Sequence, residues 1–216
     1  MDMTVLLDEV LPDVPGCPRA LALDKIREKA REFFQRTGLW LHPAFTDIDI
    51  VIGQRDYPLV PVEPLDETSI VGVVQVWVTG TRIYKRSRPE LIRSYPNFVT
   101  QAGPRPVHYY WELDNVVTLF PTPTVAIEGG LQVLAVQAPK IDATVFPDAY
   151  YADWRGYIAS GAKFELMRIP GKPYSNPDLG LFHEREFDRG VTKATGRLNS
   201  AGDYSSEDEI SVVFGR

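Results

Sequence analysis

The sequence predicts an α+β fold in which helices from both ends of the chain form one bundle, an antiparallel β-domain is inserted between them, and an extended C-terminal tail follows. Three observations predict it. Apolar residues recur at helical spacing near both ends, whereas in the middle the period falls to two and the chain becomes rich in β-branched residues. The 18 prolines and 16 glycines are too many for an all-helical chain of 216 residues, and they fall between the apolar runs as turn and strand-end punctuation. The expected boundaries are residues 1–40 and 146–202 for the bundle, 41–145 for the β-domain and 203–216 for the tail.

The stretch from Phe146 to Asn199 anchors this reading as two helices joined by a short turn. Pro147, with its fixed φ, suits an opening turn, and Tyr151, Trp154, Ile158, Ala162 and Met167 follow at helical spacing until Pro170-Gly171 stops the helix. In Asn176-Pro177-Asp178, Asn176 can cap the free amides, Pro177 takes the first helical position and Asp178 complements the helix dipole. The second helix carries Leu179, Phe182, Phe187, Val191, Ala194 and Leu198, and so short a connection makes the pair antiparallel.

At the other end, Thr4 to Val10 forms a short acidic helix broken by Pro12. From Pro18 to about Arg36 a longer helix has Leu23, Ile26, Ala30, Phe33 and Phe34 as its apolar stripe. Its charges, Asp24, Lys25, Arg27, Glu28, Lys29, Arg31 and Glu32, read as a solvated face.

Between the ends, Ile48, Ile50 and Ile52 share one face of a half-buried strand. Tyr57-Pro58-Leu59-Val60 reads as an edge strand because of its proline. Ile70 to Val78, nearly continuous in β-branched residues, suits a central strand, and Thr79-Gly80 turns it into Thr81-Arg82-Ile83-Tyr84. Lys85 to Pro106 is expected to be a long loop with one helical turn at Pro89-Glu90-Leu91-Ile92. A second hairpin joins His108–Leu113 to Val116–Phe120 around Asp114-Asn115, and a last strand runs from Leu131 to Ala138, giving about six strands.

A formal charge of −6 argues against a protein whose main business is gripping nucleic acid. No apolar run approaches the roughly 20 residues needed to cross a bilayer, and no basic-then-apolar secretory pattern opens the chain, so cytosol-like surroundings are expected. Cys17 stands alone and reads as a small buried residue. His42, His108 and His183 are not paired by spacing, and His183-Glu184 lacks the second histidine of a zinc-protease helix, since Phe187 stands there. Neither Gly161-Ala162-Lys163 nor Gly171-Lys172-Pro173 has phosphate-loop spacing, and no serine lies in a nucleophile elbow. No enzyme activity, metal or cofactor is therefore expected. The basic cluster Arg82, Lys85, Arg86, Arg88 and Arg93 reads better as a contact for an acidic neighbouring surface, on the tail or another subunit, than for nucleic acid.

The last residues divide into a polar part, Glu207, Asp208 and Glu209, and a part of high β-propensity, Ile210, Ser211, Val212, Val213 and Phe214. Two readings are open: a final strand of the chain's own sheet, or a strand added to another chain.

Several stretches together resemble the head-to-tail adaptor (connector) proteins of tailed bacteriophages. The opening Leu6 to Pro18, followed by a helix with Ala30-Arg31-Glu32-Phe33-Phe34 and ending near Trp40, is similar to that family's start. Gly53-Gln54 with Tyr57-Pro58-Leu59, Tyr95-Pro96-Asn97-Phe98, Gly103 to Tyr110 and Leu119-Phe120-Pro121-Thr122-Pro123 fit its middle. Tyr157, Ile158, Gly161, Ala162, Leu166, the run Pro170 to Pro177, and Phe182 resemble its C-terminal helices.

The resemblance implies a virion protein of the neck, assembled in the host cytoplasm as a twelvefold homo-oligomeric ring between the portal protein and a downstream tail or nozzle protein. DNA would pass through its lumen without specific binding, past a net acidic wall, and no membrane is involved. It also implies that Leu23, Ile26, Phe33, Tyr151, Trp154, Ile158, Phe182 and Phe187 share one bundle. Ala152, Gly156, Ala159, Gly161 and Gly190 would allow close helix approach within or between subunits, and Glu207 to Phe214 would join the portal. The competing readings are another phage tail component, such as a tail-completion or fibre-attachment protein, and a cell-wall hydrolase.

Overall fold

The computed structural model describes residues 2–41, 45–61, 67–112, 115–145 and 148–200. It is α+β, with its chain divided between two compact units: Met1–Trp40, Glu63–Ser69 and Ala138–Arg216 in one, Leu41–Val62 and Ile70–Gln137 in the other.

The first unit is mainly helical among its described residues, with Thr68–Ser69 and Ala138–Pro139 as the ends of two strands. Its long helices are α2 (Arg19–Thr37), α4 (Asp148–Met167) and α5 (Pro177–Ser200), which touch one another pairwise. The short acidic helix expected at the start is only one α-turn, α1 (Leu7–Val10), between 3-10 turns at Met3–Leu6 and Leu11–Asp13. Pro12, which has no N–H to donate, keeps the α-turn from extending. Met3, Leu6, Leu7 and Val10 are nevertheless fully buried.

In α2, Gly38 adopts φ 63° and donates its N–H to Phe34 O at 2.9 Å, the left-handed stop that glycine permits. Ile26, Ala30, Phe33 and Phe34 are buried, and the Phe33 ring lies 5.5 Å from that of Trp154 and 6.2 Å from that of Phe187. The solvated face expected for the α2 charges is corrected at two residues. Lys29 is buried, and its Nζ reaches Glu32 at 2.7 Å and Glu165 of α4 at 3.0 Å. Arg31 donates to Ser69 Oγ at 2.7 Å and to Pro139 O at 2.9 Å. The cause is angular: Lys29 follows Ile26 by three residues and precedes Phe33 by four, so its stem belongs to the buried stripe. Desolvation works against the Lys29 ammonium, but the hydrogen bonds it donates to Glu32 and Glu165 outweigh it and hold its pKa above the ordinary value.

The helix start at Asn176 is observed, with Asn176 Oδ1 accepting from Leu179 N at 3.2 Å. α4 and α5 are antiparallel, because Gly180 lies against Met167 at one end while Arg197 Nη1 meets Asp153 Oδ2 at 2.6 Å at the other. Two expectations for this unit fail. Phe182 is 54% exposed instead of buried, and Leu23 and Tyr151 are only half-buried.

The second unit holds β1 (Phe45–Ile50), β2 (Asp56–Pro58), most of β3 (Thr68–Val78), β4 (Thr81–Lys85), α3 (Arg88–Ser94), β5 (Ala102–Gly103), β6 (His108–Glu112), β7 (Val116–Phe120), β8 (Thr122–Pro123) and most of β9 (Ile127–Pro139). Seven strands form a curled sheet in the order β1-β9-β3-β4-β6-β7-β2, while β5 and β8 pair separately. β3 is interior and β2, with Pro58, is an edge, as their residues dictate. The expected all-antiparallel sheet is corrected to a mixed one: β4 pairs with β6 in parallel, Tyr84 opposite His108, and β5 with β8 likewise. Parallel neighbours need a long crossover, and the segment of α3 and β5 between β4 and β6 supplies it.

That segment is also more ordered than a loop. Ser87 Oγ accepts from Glu90 N, and Glu90 Oε2 accepts from Ser87 N at 2.8 Å, a capping box that starts α3. Leu91 of α3 then packs with Phe98, Tyr110 and Phe120 on one side of the sheet, while Val76, Val78, Val117, Leu119, Leu131 and Val133 belong to a larger core. Ile52, expected on β1, lies in a turn and is 63% exposed, since Gly53 at φ 78° ends the strand early.

Candidate functional site

No helix among the described residues is long and apolar enough to cross a membrane, and no group of three or more histidine, cysteine or acidic residues among them could hold a metal ion. The features that stand out are surfaces.

The α4–α5 pair is built by small residues facing large ones. A Cβ on Gly161 would sit 2.7 Å from Phe187 Cδ2, and one on Gly190 would sit 2.4 Å from Tyr157 Cγ. Trp154 and Ile158 are buried in the same helical unit, with Lys193 Nζ 5.9 Å from the Trp154 ring. Trp154, Ile158, Gly161 and Phe187 are thus engaged within their own chain. Ala152 and Gly156 face outward, and nothing lies within 4 Å of a Cβ built on Gly156.

The first two turns of α5 are different. Gly180 and His183 point inward, while Leu179, Leu181 and Phe182 are 40%, 49% and 54% exposed. For a water-facing helix this amphipathicity is inverted. The inward His183 has an Nδ1 with no hydrogen-bond partner among the described residues, next to the Lys163–Asp13 ion pair at 2.6 Å. Burial, then the Lys163 charge, pushes its pKa below the ordinary histidine value. One to two turns on, Arg185 and Arg189 extend the outward row. Arg185 has no ion-pair partner among the described residues, and Arg189 makes a 3.5 Å contact with Glu186 on its own helix.

Leu181, Arg185 and Arg189 were not legible as site residues from spacing alone. A helical wheel holds the signal: residues 179, 181 and 182 spread over some 160° of arc, more than one buried stripe can absorb.

The basic cluster is on the sheet unit. Tyr84 is 62% exposed with the Arg82 guanidinium 5.8 Å from its ring, and Lys85, Arg86 and Arg88 are exposed beside it. Arg88 approaches Glu112 at 3.7 Å, both side chains more than half exposed. The predicted portal-binding residues Glu207, Asp208, Glu209, Ile210, Val212, Val213 and Phe214 lie outside the described residues.

The chain matches no curated protein. Residues 1–208 match the family model of the SU10 adaptor protein. That span runs from the opening 3-10 turn through the sheet unit and both C-terminal helices, so it includes the antiparallel α4–α5 pair and the outward apolar start of α5. The chain therefore belongs to the SU10 adaptor family, a family of phage head-to-tail adaptors.

Proposed function

We propose that this protein is a structural virion component that forms a ring between portal and tail, makes part of the channel through which DNA leaves the capsid, and has no catalytic turnover. The observation that carries this reading is the family match over nearly the whole chain. Two physical features support it. The outward Leu179, Leu181 and Phe182 are large apolar side chains of the kind a partner surface covers. The net charge of −6 suits a conduit wall that must not hold a duplex.

Within this reading the segment Glu207 to Phe214 adds itself to the portal as a strand, its acidic residues making the polar part of the contact. The mass of the purified protein, measured with and without portal, tests the ring, which is expected to appear on the portal. Deletion of the residues after Gly202 is expected to leave a folded protein that a portal pull-down no longer retains. Undiminished retention would reject the tail's role, and a chain that stays monomeric beside its portal would reject the ring.

A further inference from the structure

We infer that the outward face of the α5 start is one half of a contact between successive copies of this chain, and that the acidic outward row of α2 is the other half. The inference rests on the ring proposed above and specifies the surface that closes it.

The inverted start of α5 is the first observation. Leu181 and Phe182 face water from a helix whose inner side at the same level holds Gly180 and the buried His183, with no hydrogen-bond partner for its Nδ1 among the described residues. Such a face loses the hydrophobic contribution of two large side chains unless something covers it. Arg185 and Arg189 continue the row, so whatever covers it meets apolar contacts first and then two guanidinium groups.

The second observation identifies an occupant of matching charge. On α2, the buried stripe through Ile26, Ala30 and Phe33 leaves Ala20, Asp24 and Glu28 outward, one helical turn apart. The Asp24 and Glu28 side chains are 66% and 50% exposed, and their partners, Arg27 and Lys25, are on their own helix. α2 and α5 touch each other and α4, so their outward faces diverge from a common centre. A face carrying Phe182, Arg185 and Arg189 and a different face carrying Ala20, Asp24 and Glu28 on one molecule are complementary but distinct. That arrangement makes a head-to-tail contact, and head-to-tail contacts close into rings when the rotation allows. Portal or tail protein seated on α5 is the competing occupant.

The test uses the full chain with its portal and reads assembly mass together with thermal melting. Phe182→Glu and Arg185→Glu are each expected to abolish or reduce ring formation at least tenfold in midpoint concentration, with melting unchanged because both side chains are exposed. Glu28→Arg is expected to do the same, and Arg185→Glu combined with Glu28→Arg to restore assembly. In a Cys17→Ser background, mixing Leu181→Cys and Glu28→Cys chains is expected to give a disulfide-linked dimer that neither chain gives alone. If wild type forms the ring and Phe182→Glu and Arg185→Glu do so equally well, this surface is wrong and the ring reading stands. Unchanged self-assembly with lost portal capture would assign the face to the portal and overturn the inference. Disruption by the α5 changes without restoration or cross-linking would overturn α2 as the acceptor. A wild-type chain that never forms rings would remove the reading and the inference together.

Discussion

Gly161, Gly190 and Gly156 sit in the same two helices and differ in what a methyl group would meet. At Gly190 it would overlap Tyr157, at Gly161 it would press on the Phe187 ring, and at Gly156 it would find open space. Overpacking a closed site destabilises by about 1–3 kcal/mol, whereas alanine in an open helical position gains about 0.5–1 kcal/mol over glycine. Urea unfolding is therefore expected to show Gly190→Ala and Gly161→Ala destabilised and Gly156→Ala stabilised. Equal effects at all three positions would contradict the close approach of α4 and α5. Spacing marked all three as small residues on these helices but could not tell which face a neighbour, because that depends on the register between α4 and α5. Lys29 shows the same limit: its charge suggested water, and only its place between Ile26 and Phe33, with Glu165 arriving from another helix, turns it inward.

At the scale of the element, local chemistry was readable wherever it is set by a few adjacent residues. Asn176-Pro177-Asp178 starts α5, Gly38 stops α2, and Thr79-Gly80 turns β3 into β4. That last turn takes φ 47° at Thr79 and 70° at Gly80, which places a β-branched residue in the left-handed region. Thr79→Asn is expected to stabilise the protein by about 0.5 kcal/mol, since asparagine tolerates that conformation, and a raised urea midpoint would show it. The capping box of α3 is equally local, set by Ser87 and Glu90, but four prolines between Lys85 and Pro106 favour a loop in the sequence and outweigh that signal. The parallel pairing of β4 with β6 had no local signal at all. It follows from where the crossover delivers the chain, a tertiary outcome that strand periodicity does not contain.

For the whole molecule, composition and period gave the α+β class, while the mixed sheet and the outward Phe182 required the folded chain. The connectivity has its own chemistry at the return segment Glu63–Ser69, where Lys140 N donates to Glu67 O at 2.8 Å and the Glu67 carboxylate accepts from Thr144 N and Oγ1 and from Val145 N. The backbone bond from Thr144, foremost, holds the Glu67 pKa below its usual value. A lowered carboxyl pKa stabilises fully above the unfolded value, near 4.3, and that contribution fades as pH falls through the folded value. The stability gap between wild type and Glu67→Gln is thus expected to be open at neutral pH and to close on acidification below about 4, as acid titration of the melting temperature would record. Because the chain dips back among the helices midway through the sheet unit's own sequence, that unit is not a cassette. A recombination event or an engineer exchanging it between relatives as one continuous block must carry residues 63–69 along, and Glu67 and Ser69 then have to find their donors in a foreign host.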